Sequence, residues 1–314
     1  MTVELDVPQP APLDVASSLE LFRRSGDDLI DRWDGQRLIR AVPIAPDTWI
    51  PFVARAGGAP ERPHFSVLVE SPSHVEPVRR VVAETFMPAP ADYARLLHED
   101  PVIARLDAHF PGIRQIRQLD VFTALVRCIS AQQVNLRWAV TTRRRLAETF
   151  GRRYDIAGQQ VYALDPQRIA RVDPLEIRAL QFTTSKSVSI VATARAMADD
   201  LELSVEHLSR LDDEPVIERL TKIRGIGRWS AEWVLARTLG RPRVVAGDLG
   251  VRKAVGLAYG WSSMPSEAEV RAATEHWGES AGVAQALLLQ ALGEGMLTPP
   301  KSPARHISRV GSRG

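Results

Sequence analysis

The 314-residue chain has one cysteine, Cys128. A single thiol excludes an internal disulfide, a CxxC zinc site and a four-cysteine iron–sulfur cluster. Lysine is scarce too: Lys186, Lys222, Lys253 and Lys301 stand against 36 arginines. No apolar run approaches the ~20 residues a membrane span requires. The opening MTVELDVPQPAPLDV has acids and prolines where a secretory signal has a basic start and an apolar core. The seven histidines (64, 74, 98, 109, 207, 276 and 306) lack the paired spacing of a metal site and read as solvated or packed. Neither a Gly-x-Ser-x-Gly elbow nor a Gly-Lys-Ser/Thr phosphate loop is present, and no period of 20–50 residues recurs.

What remains is an ordinary globular composition, 45% hydrophobic and 25% charged, at a length that suits two domains. The net charge of +2 is unevenly spread. Residues 297–314 carry Lys301, Arg305, Arg309 and Arg313 and no acid, which leaves the other 296 residues near −2. Residues 137–153 hold six arginines against Glu148, and residues 218–243 hold seven basic residues against Glu218 and Glu232, each a net of +5. Such patches are either footprints of phosphate binding or solvated arginine-rich helix faces.

Residues 36–86 read as mixed α/β, with strands over Gln36–Val42, Thr48–Ala54 and His64–Val69 and a helix over Val75–Thr85. Met87-Pro88-Ala89-Pro90 is a hinge, since proline interrupts helix and sheet. From Asp92 onward, apolar residues recur at three- and four-residue spacing, which predicts an all-α region. Asp120, Ser266 and Asp213 stand at N-cap positions, the last with Pro215 just inside its helix. The expected boundaries are a mixed sheet domain over 1–88, a helical part over 89–296 and a disordered basic tail over 297–314.

The most informative segment lies between residues 213 and 239. There Leu220-Thr221-Lys222-Ile223-Arg224-Gly225-Ile226-Gly227-Arg228-Trp229-Ser230-Ala231-Glu232-Trp233 ends one helix, turns on two glycines and starts another. The new helix offers unpaired N–H groups and a positive dipole end, which suit a phosphate. Lys222, Arg224 and Arg228 surround it. A plain helical hairpin and a DNA-backbone clamp both fit. A nucleotide-binding glycine loop fits poorly, because no strand precedes it and Ser230 stands where a third glycine belongs. Downstream, Ala246-Gly247-Asp248-Leu249-Gly250 places Asp248 at a helix start, as a cap or as a functional carboxylate.

The hairpin together with the following Gly-Asp segment resembles the helix-hairpin-helix DNA glycosylase superfamily, and Gly-Ile-Gly-Arg-Trp-Ser-Ala-Glu-Trp resembles its 3-methyladenine-DNA glycosylase II branch. Ile129-Ser130-Ala131-Gln132-Gln133-Val134-Asn135 is similar to the family's helix boundary near the lesion, and residues 174–190, with Thr183, Ser185 and Lys186, are similar to its Ser-x-x-Lys segment. The likeness covers about 90–296. Members that also cleave the strand carry a lysine where this chain has Trp229. The iron–sulfur branches need cysteines that this chain lacks. The usual proline before the hairpin glycine is Arg224. An aromatic expected after the carboxylate is Leu249, another on the last helix falls near Ala291, and the intercalating wedge position is Gln133.

The resemblance implies a mostly α fold of two helical subdomains with a small antiparallel-sheet α+β domain at the N-terminus. It implies a monofunctional glycosylase that hydrolyses the N-glycosidic bond of alkylated purines (3-methyladenine, 7-methylguanine) in duplex DNA, at the start of base excision repair. A cationic base leaves readily, so one carboxylate suffices where a general glycosidase needs two. That role falls to Asp248. Trp229 and Trp233, four apart on one helix face, would line the base pocket through cation–π attraction, with core packing as the alternative. Gly225, Ile226, Gly227, Arg228, Lys222, Arg224 and Gln133 would hold DNA. No cofactor is required, although hairpin carbonyls of Thr221, Ile223 and Ile226 would bind a monovalent Na or K. Damaged duplex DNA is the expected partner of a monomer in the cytoplasm, at the nucleoid if the source is bacterial. The alternatives are a non-catalytic helix-hairpin-helix DNA-binding module and an oxidised-base glycosylase with lyase activity.

Overall fold

The computed structural model describes residues 2–45 and 47–298. Its N-terminal part is an antiparallel sheet of β1 (Val3–Pro8), β2 (Arg32–Trp33), β3 (Arg37–Ala45), β4 (Thr48–Gly57) and β5 (His64–Val69), in the order β1-β5-β4-β3-β2. The three strands expected from the sequence are β3, β4 and β5. β1 was not expected, although Val3, Leu5 and Val7 alternate as a half-buried strand requires, with Leu5 and Val7 buried. Helices α1 (Val15–Leu19) and α2 (Leu21–Arg24) follow β1, and α3 (Val75–Ala83) adds Val78 and Val82 to the sheet's core.

The remainder is mostly helical: α4 (Tyr93–Glu99), α5 (Pro101–His109), α6 (Val121–Ala131), α7 (Leu136–Phe150), α8 (Pro166–Ile169), α9 (Pro174–Ala179), α10 (Thr184–Asp199), α11 (Val205–Leu208), α12 (Asp213–Thr221), α13 (Arg228–Arg237), α14 (Leu249–Ala258), α15 (Glu267–Thr274) and α16 (Ala281–Gly293). Local capping chemistry sets many of these starts. Asp120 accepts the Thr123 N–H at 2.6 Å, and Ser266 with Glu269 closes a reciprocal capping box. The cap of α12, however, is Asp212, while Asp213 is already helical and turns its carboxylate to Arg243 at 2.8 Å. The helical core divides in two. One cluster joins α6, α7, α10, α12 and α13; the other joins α4, α5, α14 and α16. The segment from α13 to α14 runs between them. From residue 299 on, the expected basic tail lies outside the described residues.

The region after residue 92 is not all-α. Between α7 and α8 the chain forms a hairpin of β6 (Arg152–Ile156) and β7 (Gln159–Ala163). Its two-residue turn, Ala157-Gly158, has φ of +47° and +71°, the twist that suits a tight hairpin. Ile156 and Val161 pack with Ile39, Trp49 and Val53 of the sheet domain. The hairpin therefore completes the seam between the two parts, and its short alternating pattern is hidden among arginines and glutamines.

A buried ionic lattice crosses the same seam. Asp28 accepts from Arg127 at 2.7 Å and from Arg143 at 2.9 Å. Asp31 accepts from Arg40 of β3 at 2.6 Å and from Arg127 of α6 at 2.6 Å. Burial pushes the Asp28 carboxyl up, but the Arg127 and Arg143 guanidinia more than reverse this and hold it at about 2. Against about 3.9 in an unfolded chain, that is worth roughly 2–3 kcal/mol above the unfolded value. The Asp28 contribution should therefore be fully present above about pH 4 and be lost as pH drops toward 2. Asp28→Asn leaves the buried Arg143 guanidinium without a carboxylate, while Arg127 keeps Asp31, and should cost about 3–5 kcal/mol in denaturant unfolding at neutral pH. It should also flatten the acid limb between pH 4 and 2.

Candidate nucleic-acid interface and active site

The turn between α12 and α13 is set by Gly225. Its φ is +86°, and a Cβ there would stand 1.9 Å from the Ser189 Oγ of α10. Glycine is thus required both by the backbone and by the close seat of the turn on α10. Gly227 is extended (φ −101°, ψ 176°) and is the N-cap of α13, and no side chain caps this end. The first N–H groups of α13 therefore point outward unpaired by any side chain, at the positive end of the helix dipole. Lys222, Arg224, Gly225, Gly227 and Arg228 are exposed around them, with Ile223 and Ile226 buried beneath.

The side chain of Arg228 is not free for an anion. It pairs with Glu214 at 2.7 and 3.1 Å and with Glu232 at 3.1 Å. Glu232 is fully buried and also receives Arg243 at 3.1 Å and Arg271 at 2.8 Å. This hub joins α12, α13, α15 and the strand-like approach to α14. Arg219 pairs with Glu202, and Arg241 and Arg243 with Asp213. The 218–243 window thus spends most of its charge internally and leaves Lys222 and Arg224 at the surface. The 137–153 window does the same. Arg143 goes to Asp28, Arg144 to Glu148, Arg152 to Asp165 and Arg153 to Asp155.

Asp248 is the N-cap of α14. Its Oδ1 accepts the N–H groups of Gly250 at 2.8 Å and Val251 at 3.1 Å. Its Oδ2 receives only a long 3.3 Å bond from the Trp229 indole N–H, which comes across from the first turn of α13. The cap uses Oδ1 and locks the carboxylate's orientation, and Oδ2 meets the N–H edge of the Trp229 indole. Gly247 keeps the approach open, since a Cβ there would meet Trp229 at 3.6 Å and Glu267 at 3.3 Å.

The surroundings of Asp248 are buried and polar. Cys128 of α6 and Arg237 of α13 lie within its electrostatic reach. Burial, then the Asp248 charge, pushes the Cys128 thiol up, so this cysteine is inert as a nucleophile. Burial pushes the Arg237 guanidinium down to about 10, with Asp248 acting against it. The two indoles part company. Trp229 faces Asp248, whereas Trp233 packs half-buried against the first helical core, the packing alternative for this side chain. Ala291 is fully buried in the second core, and Leu289 of α16 instead approaches Gly250 at 3.5 Å from an ideal Cβ. Leu249 is exposed beside the carboxylate.

The loop that follows α6 completes this face. Gln133 is exposed with φ +55°, a strained choice for a side-chain-bearing residue. Its neighbour Gln132 donates to the Gly225 carbonyl at 3.4 Å, and Lys186 donates to the Ser130 carbonyl at 2.9 Å. The glutamine loop, the hairpin turn and the start of α10 are therefore tied together. The Lys186 ammonium is thereby committed to a backbone carbonyl.

This arrangement can be set beside known proteins. The profile of the HhH-GPD superfamily of base excision DNA repair proteins matches residues 126–280. The matched segment, which holds the hairpin and Asp248, belongs to the HhH-GPD superfamily. A DNA-3-methyladenine glycosylase of Bacillus subtilis (strain 168) is 32% identical over 182 residues, 57% of this chain and 60% of that protein. The chain thus spans about 60% of the length of that relative. The 3-methyladenine DNA-glycosylase of Archaeoglobus fulgidus covers 92% of this chain and 98% of its own, with a TM-score of 0.80 at 23% identity, a likeness of fold. The Schizosaccharomyces pombe 3-methyladenine DNA glycosylase, solved in complex with abasic DNA, is 26% identical with a TM-score of 0.54. It covers 64% of this chain and 95% of its own.

Within this domain, the structure brings the hairpin, Trp229, Asp248 and the glutamine loop, all named from the sequence, onto neighbouring elements. Ser189, Arg237 and Leu289 lie outside the motifs read there, and Glu232, inside the hairpin motif, shows its pairing only in the fold. Among the described residues, no helix is long and apolar enough to cross a membrane, and no group of three His, Cys, Asp or Glu could hold a metal. Gly225→Ala should cost about 1–3 kcal/mol from backbone strain alone, and more from the clash with Ser189. Thermal unfolding of Gly225→Ala, alone and with Ser189→Gly, should show partial rescue by the second change.

Proposed function

We propose that this protein is a monofunctional DNA glycosylase that releases alkylated purines from duplex DNA. The observation that carries this reading is the Asp248 carboxylate. Its Oδ1 is fixed by the cap of α14, and its Oδ2 stands 3.3 Å from the Trp229 indole at the edge of the hairpin. An extruded base must enter a pocket and stack there. An N-alkylated purine is cationic, and an electron-rich indole attracts it by about 0.5–2 kcal/mol. As the glycosidic bond breaks, positive charge grows on the sugar. The fixed carboxylate stabilises that charge without reorganising.

Phosphate binding falls to the hairpin. The N–H groups of Gly225, Gly227 and Arg228 would face a backbone phosphate, that of Ile226 being taken by the Ile223 carbonyl, and the exposed Lys222 and Arg224 add charge. Arg228 contributes its backbone, since its guanidinium is held by Glu214 and Glu232. The carbonyls of Thr221, Ile223 and Ile226 would hold a monovalent Na or K. Ile223 fits this role with one lone pair, the other accepting the Ile226 N–H at 3.1 Å. Gln133, strained and exposed on the tethered loop, reaches toward the gap left by the extruded base.

Trp229 stands where lyase members have an amine, which supports hydrolysis without strand cleavage. The binding-module reading needs only the cap, and an Oδ2 left outside the cap with a single long bond from Trp229 argues against it. Asp248→Asn keeps the cap oxygen and removes the charge. Single-turnover release of methylated bases should fall by about 10²–10³-fold, with affinity for abasic duplex retained. Release at the wild-type rate would overturn the catalytic role. Borohydride should trap no protein–DNA adduct, and a trapped adduct would favour the lyase reading.

A further inference from the structure

The charge beside Asp248 does not come from Asp248 alone. Arg237 rises from the last turn of α13, is 9% exposed and makes no ion pair among the described residues. Its Nε is buried without a hydrogen-bond partner, and Asp248 is the acid that acts on it. A buried guanidinium and one carboxylate largely cancel at a distance. Cys128, held as a neutral thiol by burial and by Asp248, adds no charge. On these groups alone, the site exerts little net pull on a cation.

A second carboxylate stands across Gly247. Glu267 opens α15 directly after the Ser266 cap. Its Oε2 lies 3.3 Å from the ideal Cβ position of Gly247, and the Trp229 Cβ and Cδ1 lie 3.6 Å from the same point. Cδ1 is bonded to the indole nitrogen that donates to the Asp248 Oδ2 at 3.3 Å. Glu267 and Asp248 thus approach the same edge of one indole. The Glu267 Oε1 accepts from Arg271 at 2.5 Å, while Oε2 accepts from no group among the described residues. Arg271 is shared with the buried Glu232 at 2.8 Å, so it masks Glu267 only in part. The Glu267 side chain is 47% exposed, which keeps its carboxylate open to an incoming ligand.

We propose that Glu267 is a selectivity residue of this site, supplying the net negative charge that Asp248, offset by Arg237, does not provide. It favours a purine that carries a fixed positive charge, as N-alkylation produces, over a neutral deaminated one. It acts through its field along the Trp229 edge and touches no reacting atom. The proposal rests on the glycosylase reading above.

The test compares two duplexes that differ by one charge at the site, one with a cationic pyrrolidine abasic analogue and one with neutral tetrahydrofuran. Their backbones are the same, so phosphate contacts cancel in the ratio of affinities. Glu267→Gln keeps the size and an acceptor oxygen and removes the charge. It should lower the preference for the pyrrolidine about three- to fivefold, the order expected of one half-exposed charge several ångströms away. Single-turnover release of 7-methylguanine should slow by a similar factor, and by more than release of neutral hypoxanthine. Glu267→Asp should recover most of the preference. Arg271→Gln, which unmasks Glu267 while Glu232 keeps Arg228 and Arg243, should raise it. A Glu267 with a purely structural role would weaken both duplexes alike and could not give that rise. A preference in Glu267→Gln that stays at the wild-type value, or a fall in Arg271→Gln, would overturn the proposal. Loss of the preference in Asp248→Asn would then leave the glycosylase reading standing. Wild type that neither binds an abasic duplex nor releases methylated bases would remove both.

Discussion

Asp28 and Asp31 are two buried carboxylates that hold guanidinia from β3, α6 and α7. Much of the functional face depends on them. α6 ends in the glutamine loop, α7 begins with the exposed first turn, and both helices are pinned to the sheet domain by the same pair of acids. Neither carboxylate can be removed without stranding a buried charge. The N-terminal sheet is therefore more than an appended domain. It clamps the two helices whose junction reaches the hairpin, and the β6–β7 hairpin seals the clamp with apolar contacts.

The same logic runs through the arginine-rich windows. A chain with many arginines and few lysines can use the planar guanidinium for internal multi-dentate pairing. Glu232 shows the result, one buried carboxylate shared by Arg228, Arg243 and Arg271. Pairing of this kind braces the approach to Asp248. It also reduces the exposed positive charge near the hairpin to a few groups. The charge left at the surface is local, and it sits beside backbone N–H groups that already favour an anion.

Asp248 divides its oxygens between the cap of α14 and the Trp229 indole. The cap makes the carboxylate rigid, and the indole of Trp229 marks the side left open. This pairing was partly legible in the sequence. Trp229 follows the glycines by two residues, and Asp248 opens a helix after Ala246-Gly247, so each could be assigned from local pattern. Trp233 was not separable from Trp229 by spacing, because residues four apart share a face along a helix but meet different neighbours at its two levels. Ala291 and Leu289 illustrate the same limit on α16: two positions apart, one is core and the other approaches Gly250.

By itself the sequence determined the helical periodicity, the three main strands, the glycine-set turn and the Asp248 cap, because each depends on residues within a turn or two of one another. Tertiary structure decided what depends on distant partners. It placed β1 against β5, formed the β6–β7 hairpin against the sheet, and matched each arginine to its acid. It also moved the cap of α12 to Asp212 by drawing Asp213 to Arg243, and sent Trp229 and Trp233 to different surroundings. Periodicity and capping are short-range and can be read along the chain. The pairing of buried charges is set by which elements the folded core brings together, and the order of residues does not contain that choice in any local form.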